Sequence, residues 1–379
     1  MTDFSLKLTK NDLVFLYYCC GFLLCLSFIR EILGFQVYFN SIVPVVFAIT
    51  ILFFDIDFLN SRFIYFSIFF LLASLIQYAH PSYLDLIYLI KIATLALTML
   101  LLLKFFKDDR SLNFFIYFTL LVSLSLTLIE FLTVGLQSRT LFFQTEVIRL
   151  HGIFGHHNYS GIIYILISSI CFKRNLFLPF LTFLTLAFLT GSNGVYLYII
   201  CAIFCLIFNL RVAKFFILIF FWISWLLPFW FPIFLELIPN ELYELIAVLT
   251  NYRSVHWEVY SNIAQSNLLF GTGYVNAFDL YSVFSNHAID NFANVQIQHN
   301  LSLEVLTGYG IFFWILIGLI ISLLVTQCRS RYQNFYVSMI FLPYVFYNGL
   351  TFIGLWLAAA LLLNEMRSNS NARTLSKKI

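Results

Sequence analysis

Two stretches of this 379-residue chain gather residue types that can do chemistry. The first reads Gln144-Thr-Glu-Val-Ile-Arg149-Leu-His151-Gly-Ile-Phe-Gly155-His156-His157-Asn158-Tyr-Ser-Gly161. A guanidinium grips phosphate oxygens in pairs and stays charged at any pH, so Arg149 among three histidines and turn glycines fits an anion site. The bland reading makes Arg149 an interfacial anchor whose head snorkels to water. Asn158 can equally serve as the N-cap of the helix that follows.

The second stretch places Asn251-Tyr-Arg253-Ser-Val-His256-Trp257 ahead of Leu268-Leu-Phe-Gly271-Thr-Gly273-Tyr, and ends on Gln298-His299-Asn300-Leu-Ser-Leu-Glu304-Val-Leu-Thr-Gly308-Tyr-Gly310. Gly271 and Gly273 allow a turn with positive φ or a close backbone approach. With an ordinary pKa near 6.5, His299 can hold a lone pair for proton abstraction around neutral pH. A loop histidine bonded to backbone is the alternative. Trp257, Tyr260, Tyr274 and Tyr281 can stack on sugar rings, but packing within the loop is the favoured reading. There is no HExxH and no CxxC, so no metal site is expected.

The elements that must position these residues follow from composition. The chain is 61% hydrophobic and only 10% charged, with mean hydropathy +0.92 and net charge +3. Soluble domains carry about 25% charged residues, so a soluble enzyme, a nucleic-acid binder and a disordered chain are excluded. Apolar runs fall at 13–29, 37–54, 63–78, 84–103, 114–134, 159–172, 176–190, 195–210, 215–237, 311–325, 335–347 and 349–363. The expectation is an all-α polytopic membrane protein with about 12 transmembrane helices. The first run lacks a small-residue cleavage site and meets Arg30–Glu31 at once, so it is expected to be retained. The external connections 135–158 and 238–310 are long, and the second is expected to fold over the bundle mouth with short helices of its own.

With the N-terminus inside, most of the 21 basic residues fall in cytoplasmic segments, and only Arg30, Arg139, Arg149 and Arg253 lie outside. Both termini are therefore expected in the cytoplasm. All seven histidines fall in external segments, and the seven cysteines in spans or on the cytoplasmic side. Lys91, inside a span, is an intramembrane charge of the kind usually paired or functional.

Taken together, the motifs resemble the O-antigen ligase and O-antigen polymerase superfamily of bacterial inner-membrane proteins. The matching stretches are Arg149 to Asn158, Leu189-Thr-Gly-Ser192-Asn-Gly194, Arg253 with Trp257, the Gly271-Thr-Gly273 turn, and His299-Asn300-Leu-Ser-Leu-Glu304 running to Gly310. They span roughly residues 135–325, and the first five spans match in hydropathy alone. The resemblance thus divides the chain into N-terminal helices (1–134), a ligase-like core (135–325), and C-terminal helices with a tail (326–379). One departure is Asn193, where the family often has Arg.

The resemblance implies a glycosyltransferase without metal or other cofactor, moving a glycan from undecaprenyl diphosphate to a sugar hydroxyl on the periplasmic face. The acceptor would be lipid A–core in a ligase or another lipid-linked repeat unit in a polymerase. Ligase-type transfer is the first expectation and polymerase the alternative. The catalytic residues implied are Arg149 and Arg253, stabilising the leaving diphosphate, and His299 as general base. His156, Asn158, Trp257, Gly271, Gly273 and Asn300 would line the substrate. A polysaccharide transporter or flippase is the reading from another class. It would place polar residues and broken helices near the midplane, whereas here the polar residues cluster outside.

Overall fold

The computed structural model describes residues 92, 109–133, 137–140, 146–150, 152, 157–250, 253–273, 276–284, 300–345 and 353–376. The expected spans at 13–29, 37–54 and 63–78, and that at 84–103 except for Ile92, lie outside the described residues, as does Lys91. The chain divides into two units, 1–56 with 96–196 and 57–95 with 197–379.

In the first unit α1 (Asp109–Thr133) is a long apolar helix, and its stretch Leu112–Leu132 is long and apolar enough to cross a bilayer. Leu112, Phe115, Ile116, Thr119, Ser123 and Glu130 form its buried stripe, while Leu121, Leu124, Leu128 and Phe131 are exposed on the other side. A short antiparallel ladder follows, β1 (Gln137–Thr140) with β2 (Glu146–Arg149), pairing Arg149 with Gln137. Among the described residues these strands are the departure from an all-helical chain. Next come α2 (His157–Lys173), α3 (Phe177–Leu189) and the start of α4 (Asn193–Ile207). α2 packs along α3, and α1 also packs against α3.

The second unit is built on α5 (Leu210–Trp225), α6 (Leu227–Leu237), α7 (Asn240–Leu249), α8 (Arg253–Ser266), α9 (Asn276–Phe284), α10 (Leu301–Gln327), α11 (Arg331–Phe341) and α12 (Ile353–Ser376). The apolar run 215–237, expected as one span, is broken: α5 and α6 meet at Leu226 with a bend of 71°. Pro228 at the start of α6 donates no amide bond, which makes this the natural place for the helix to restart. The carbonyls freed at the break are taken by side chains. Trp230 Nε1 donates to the Ile223 carbonyl at 2.7 Å and Ser302 Oγ to that of Trp225, while Gln265 Nε2 donates at 2.9 Å to the Pro228 carbonyl, which Pro232 inside α6 leaves without a helical donor. An apolar environment demands such internal satisfaction.

The helix α10 begins ten residues earlier than its apolar run suggests. Its first part, Leu301 to Gly310, is buried throughout, and Gly310 then breaks the helical path with φ 78° and ψ −177°. Beyond the kink the helix is apolar all round, exposing Phe312, Ile315, Leu316, Leu319 and Leu323 on one side while Trp314 and Ile321 stay buried on the other. Trp314 stacks on Trp225 at 5.4 Å, and its Nε1 donates to Ser302 Oγ at 2.7 Å. That bond joins the two parts of α10 to the α5–α6 break.

Among the described residues, Leu112–Leu132 and Leu301–Gln327 are long and apolar enough to cross a membrane. A third span is added if the bent α5–α6 pair counts as one, and Phe177–Leu189 and Leu357–Met366 are shorter apolar helices. The protein is helical and carries membrane-type helices, but the described residues do not reach twelve spans. The expected external segment 238–310 does hold short helices, α7, α8 and α9, together with the first part of α10.

Candidate functional site

In the first unit, the segment after β2 is held at several points. The Leu150 amide donates to the Leu189 carbonyl at 2.9 Å, and the Gly152 amide donates to Glu130 Oε2 at 3.2 Å. Gly152 sits at φ +67°, and a Cβ there would lie 2.8 Å from both Cβ and Oγ of Ser160. The positive φ and this crowding favour glycine at 152. Asn158 falls one residue inside α2, which starts at His157, so it is not the N-cap expected of it. It is buried, and its Oδ1 accepts the Ser192 hydroxyl at 2.7 Å. This bond ties the Arg149–Asn158 motif to the Leu189–Gly194 motif, two segments whose relation the sequence left open. Gly161 supports the same junction, because a Cβ there would meet Thr190 Oγ1 at 2.9 Å.

In the second unit, Arg253 opens α8 and is half-buried. The Thr250 hydroxyl accepts the Ser254 amide at 3.2 Å, fixing the start of the helix. Trp257, one turn further, is 6% exposed and packs edge-on against Phe231 with ring centroids 5.6 Å apart. It shares a core cluster with Leu227, Tyr260, Ile263 and Leu303, so in this structure it is a packing residue. Tyr260 is fully buried in the same cluster.

The turn after α8 is seated backbone to backbone against the α10 kink. The Ile311 amide donates to the Leu268 carbonyl at 2.8 Å, and the Thr272 amide to the Thr307 carbonyl at 2.7 Å. Gly271 (φ +70°) and Gly310 (φ +78°) face each other's backbone. A Cβ on Gly271 would lie 2.6 Å from the Thr307 carbonyl oxygen, and one on Gly310 would collide with Leu269. Gly273 also has positive φ, at +80°. The glycines therefore lock the turn to α10. Asn300 caps α10, its Oδ1 accepting the Leu303 amide at 3.0 Å. His299, His156 and Tyr274 lie outside the described residues. Arg149 belongs to the first unit and Arg253 to the second.

A polar network that the sequence reading passed over lies beside Arg253. His256 Nδ1 and the Tyr281 hydroxyl share a hydrogen bond at 2.9 Å, and Tyr243 donates to Glu258 Oε2 at 2.8 Å. These four side chains link α7, α8 and α9. Burial first, and then the Arg253 charge, push the His256 pKa down from 6.5 to about 4, so the imidazole is neutral at physiological pH. Burial and the Glu258 carboxylate push Tyr281 up to about 12, which keeps its hydroxyl protonated. The available signal was helical spacing, since Arg253, His256 and Trp257 at i, i+3 and i+4 share one helix face. Among the described residues no group of three or more His, Cys, Asp or Glu side chains is placed to hold a metal ion.

Comparison with protein-family models, with curated proteins and with solved structures finds no match to this chain.

Proposed function

We propose that this chain is a membrane glycosyltransferase that moves a glycan from undecaprenyl diphosphate to a sugar hydroxyl, with the O-antigen ligase type as the first reading. The observation that carries it is the position of Arg253. It stands at the first residue of α8, where the helix dipole concentrates positive potential. A cation there is opposed by that dipole by roughly 0.3–1 kcal/mol, whereas an anion placed there gains from both the dipole and the guanidinium. The neighbouring His256 is neutral and leaves that charge balance undisturbed. A diphosphate group suits such a locus.

In this mechanism the acceptor hydroxyl loses its proton to His299 as its oxygen bonds to the anomeric carbon. The carbon–oxygen bond to phosphate breaks, and undecaprenyl diphosphate leaves with the extra negative charge. Arg253 stabilises that charge as it develops, and the resemblance gives Arg149 the same role. The site lies on the periplasmic side of a bacterial inner membrane, with both termini in the cytoplasm. His156, Asn158, Gly271, Gly273 and Asn300 shape the surroundings, Asn158 and the glycines by holding backbone in place. The acceptor is lipid A–core, or a second lipid-linked repeat unit if the enzyme is a polymerase.

The broken α5–α6 helix is the feature that a transporter would share. Its freed carbonyls are occupied by Trp230, Ser302 and Gln265 rather than left to line a passage, which favours the transferase. A deletion strain tests the reading. Loss of a ligase leaves the lipid A–core acceptor bare, loss of a polymerase leaves a single repeat unit on it, and an unchanged surface glycan profile rejects both.

A further inference from the structure

Glu130 is a carboxylate 2% exposed near the end of α1, a helix long and apolar enough to cross the bilayer. Ionisable groups in such helices are costly and are retained where they act, yet no part of the mechanism above uses this one. It continues the buried stripe of Thr119 and Ser123 rather than facing outward with Leu128 and Phe131. Its Oε2 accepts the Gly152 amide three residues after Arg149.

Three separate constraints converge on the backbone that carries Arg149. The ladder pairs Arg149 with Gln137, the Leu150 amide is held by the Leu189 carbonyl, and the Gly152 amide is held by Glu130. The first two use backbone acceptors that any sequence supplies. Glu130 is the one anchor of the three that depends on a side chain. Gly152 has little room to compensate, since a Cβ placed on it would lie 2.8 Å from Ser160 and 3.0 Å from the Tyr164 hydroxyl. Removing the acceptor would leave a buried amide unpaired and release the segment on the side away from the ladder.

We propose that Glu130 is a positioning residue for Arg149, fixing through Gly152 the turn from which Arg149 meets the diphosphate of the lipid donor. This rests on the reading that Arg149 holds that diphosphate. The bond requires an acceptor oxygen and no charge, so the role is one that glutamine can fill.

The test uses the full chain in lipid nanodiscs, with undecaprenyl diphosphate as the probe. The expected results are that Glu130→Ala weakens its binding about tenfold, the scale of one unsatisfied buried amide, and that Glu130→Gln restores it to within about threefold. Adding Glu130→Ala to Arg149→Ala should weaken binding no further, because a residue acting through Arg149 has nothing left to position. A purely structural role would instead give additive losses. Additivity, a Glu130→Gln variant as poor as Glu130→Ala, or wild-type affinity in Glu130→Ala overturns the proposal. Hydrogen exchange of the peptide containing Gly152, followed without ligand, separates this from failure of the underlying reading. Faster exchange in Glu130→Ala supports the anchor even if Arg149→Ala binds normally, a result that overturns only the diphosphate role of Arg149. Unchanged exchange overturns the anchor.

Discussion

Acidification should act on the protein through His256. An unfolded histidine takes up a proton near pH 6.5, but in the folded chain burial and Arg253 delay uptake until about pH 4. Between these values the unfolded state binds more protons, so stability falls as the pH drops from 6.5 towards 4. The His256 contribution is fully present above pH 6.5 and is lost by about pH 4, below which it changes no further. The gap corresponds to about 3 kcal/mol. The ring is enclosed by α8 and by Tyr281 on α9, with Arg253 one turn before it and the Glu258–Tyr243 pair nearby. Burial and the Arg253 charge leave no easy way to accommodate a second positive charge. The assay is unfolding of the detergent-solubilised protein at pH 7, 5.5 and 4, wild type against His256→Gln. The variant lacks a titrating ring, so the wild type should lose about 3 kcal/mol relative to it between pH 7 and 4. Parallel pH curves for the two proteins would refute the argument.

Other consequences concern the joints between motifs. Gly310→Ala puts a side chain at φ +78° against the Leu269 and Phe270 backbone, and should lower stability by more than about 2 kcal/mol, read as a fall in melting temperature or loss of folded yield. Ser192→Ala removes the donor to buried Asn158 and should cost about 1–3 kcal/mol, whereas Ser192→Thr, which keeps the hydroxyl, should cost less in the same melt. Trp314→Phe keeps the stack on Trp225 but loses the bond to Ser302, for an expected loss of about 1 kcal/mol by thermal unfolding.

Parts of this arrangement were legible from residue types alone. Glycine at 271 and 273 signals positive φ, a property of the residue itself, whereas the cap expected at Asn158 is not there and Asn300, read as a substrate contact, caps a helix instead. Other parts were hidden because hydropathy reports apolarity and not direction. The run 215–237 reads as one span, yet Pro228 lets the chain turn through 71° inside it. The start of α10 carries Ser302, Glu304 and Thr307, which lowered the apolar signal and moved the expected start to 311, although all three are buried. The Ser302 hydroxyl is absorbed by tertiary partners, the Trp225 carbonyl and Trp314, which no local pattern records, while the Thr307 hydroxyl donates to the Leu303 carbonyl one turn back. Glu130 escaped notice as a lone acid in an apolar run. Its partner, the Gly152 amide, is a backbone group that a sequence does not advertise. The network of His256, Tyr281, Glu258 and Tyr243 spans three helices, and only folding shows it.

The central claim is that Arg253 helps to carry a leaving diphosphate. The most direct measurement is transfer of a radiolabelled glycan from undecaprenyl diphosphate to lipid A–core by the purified full chain in proteoliposomes, with Arg253→Lys alongside. The account predicts transfer by the wild type and a loss of about a hundredfold or more in Arg253→Lys, because lysine keeps the charge but not the two-point grip on phosphate oxygens. Unimpaired transfer by Arg253→Lys would contradict the claim.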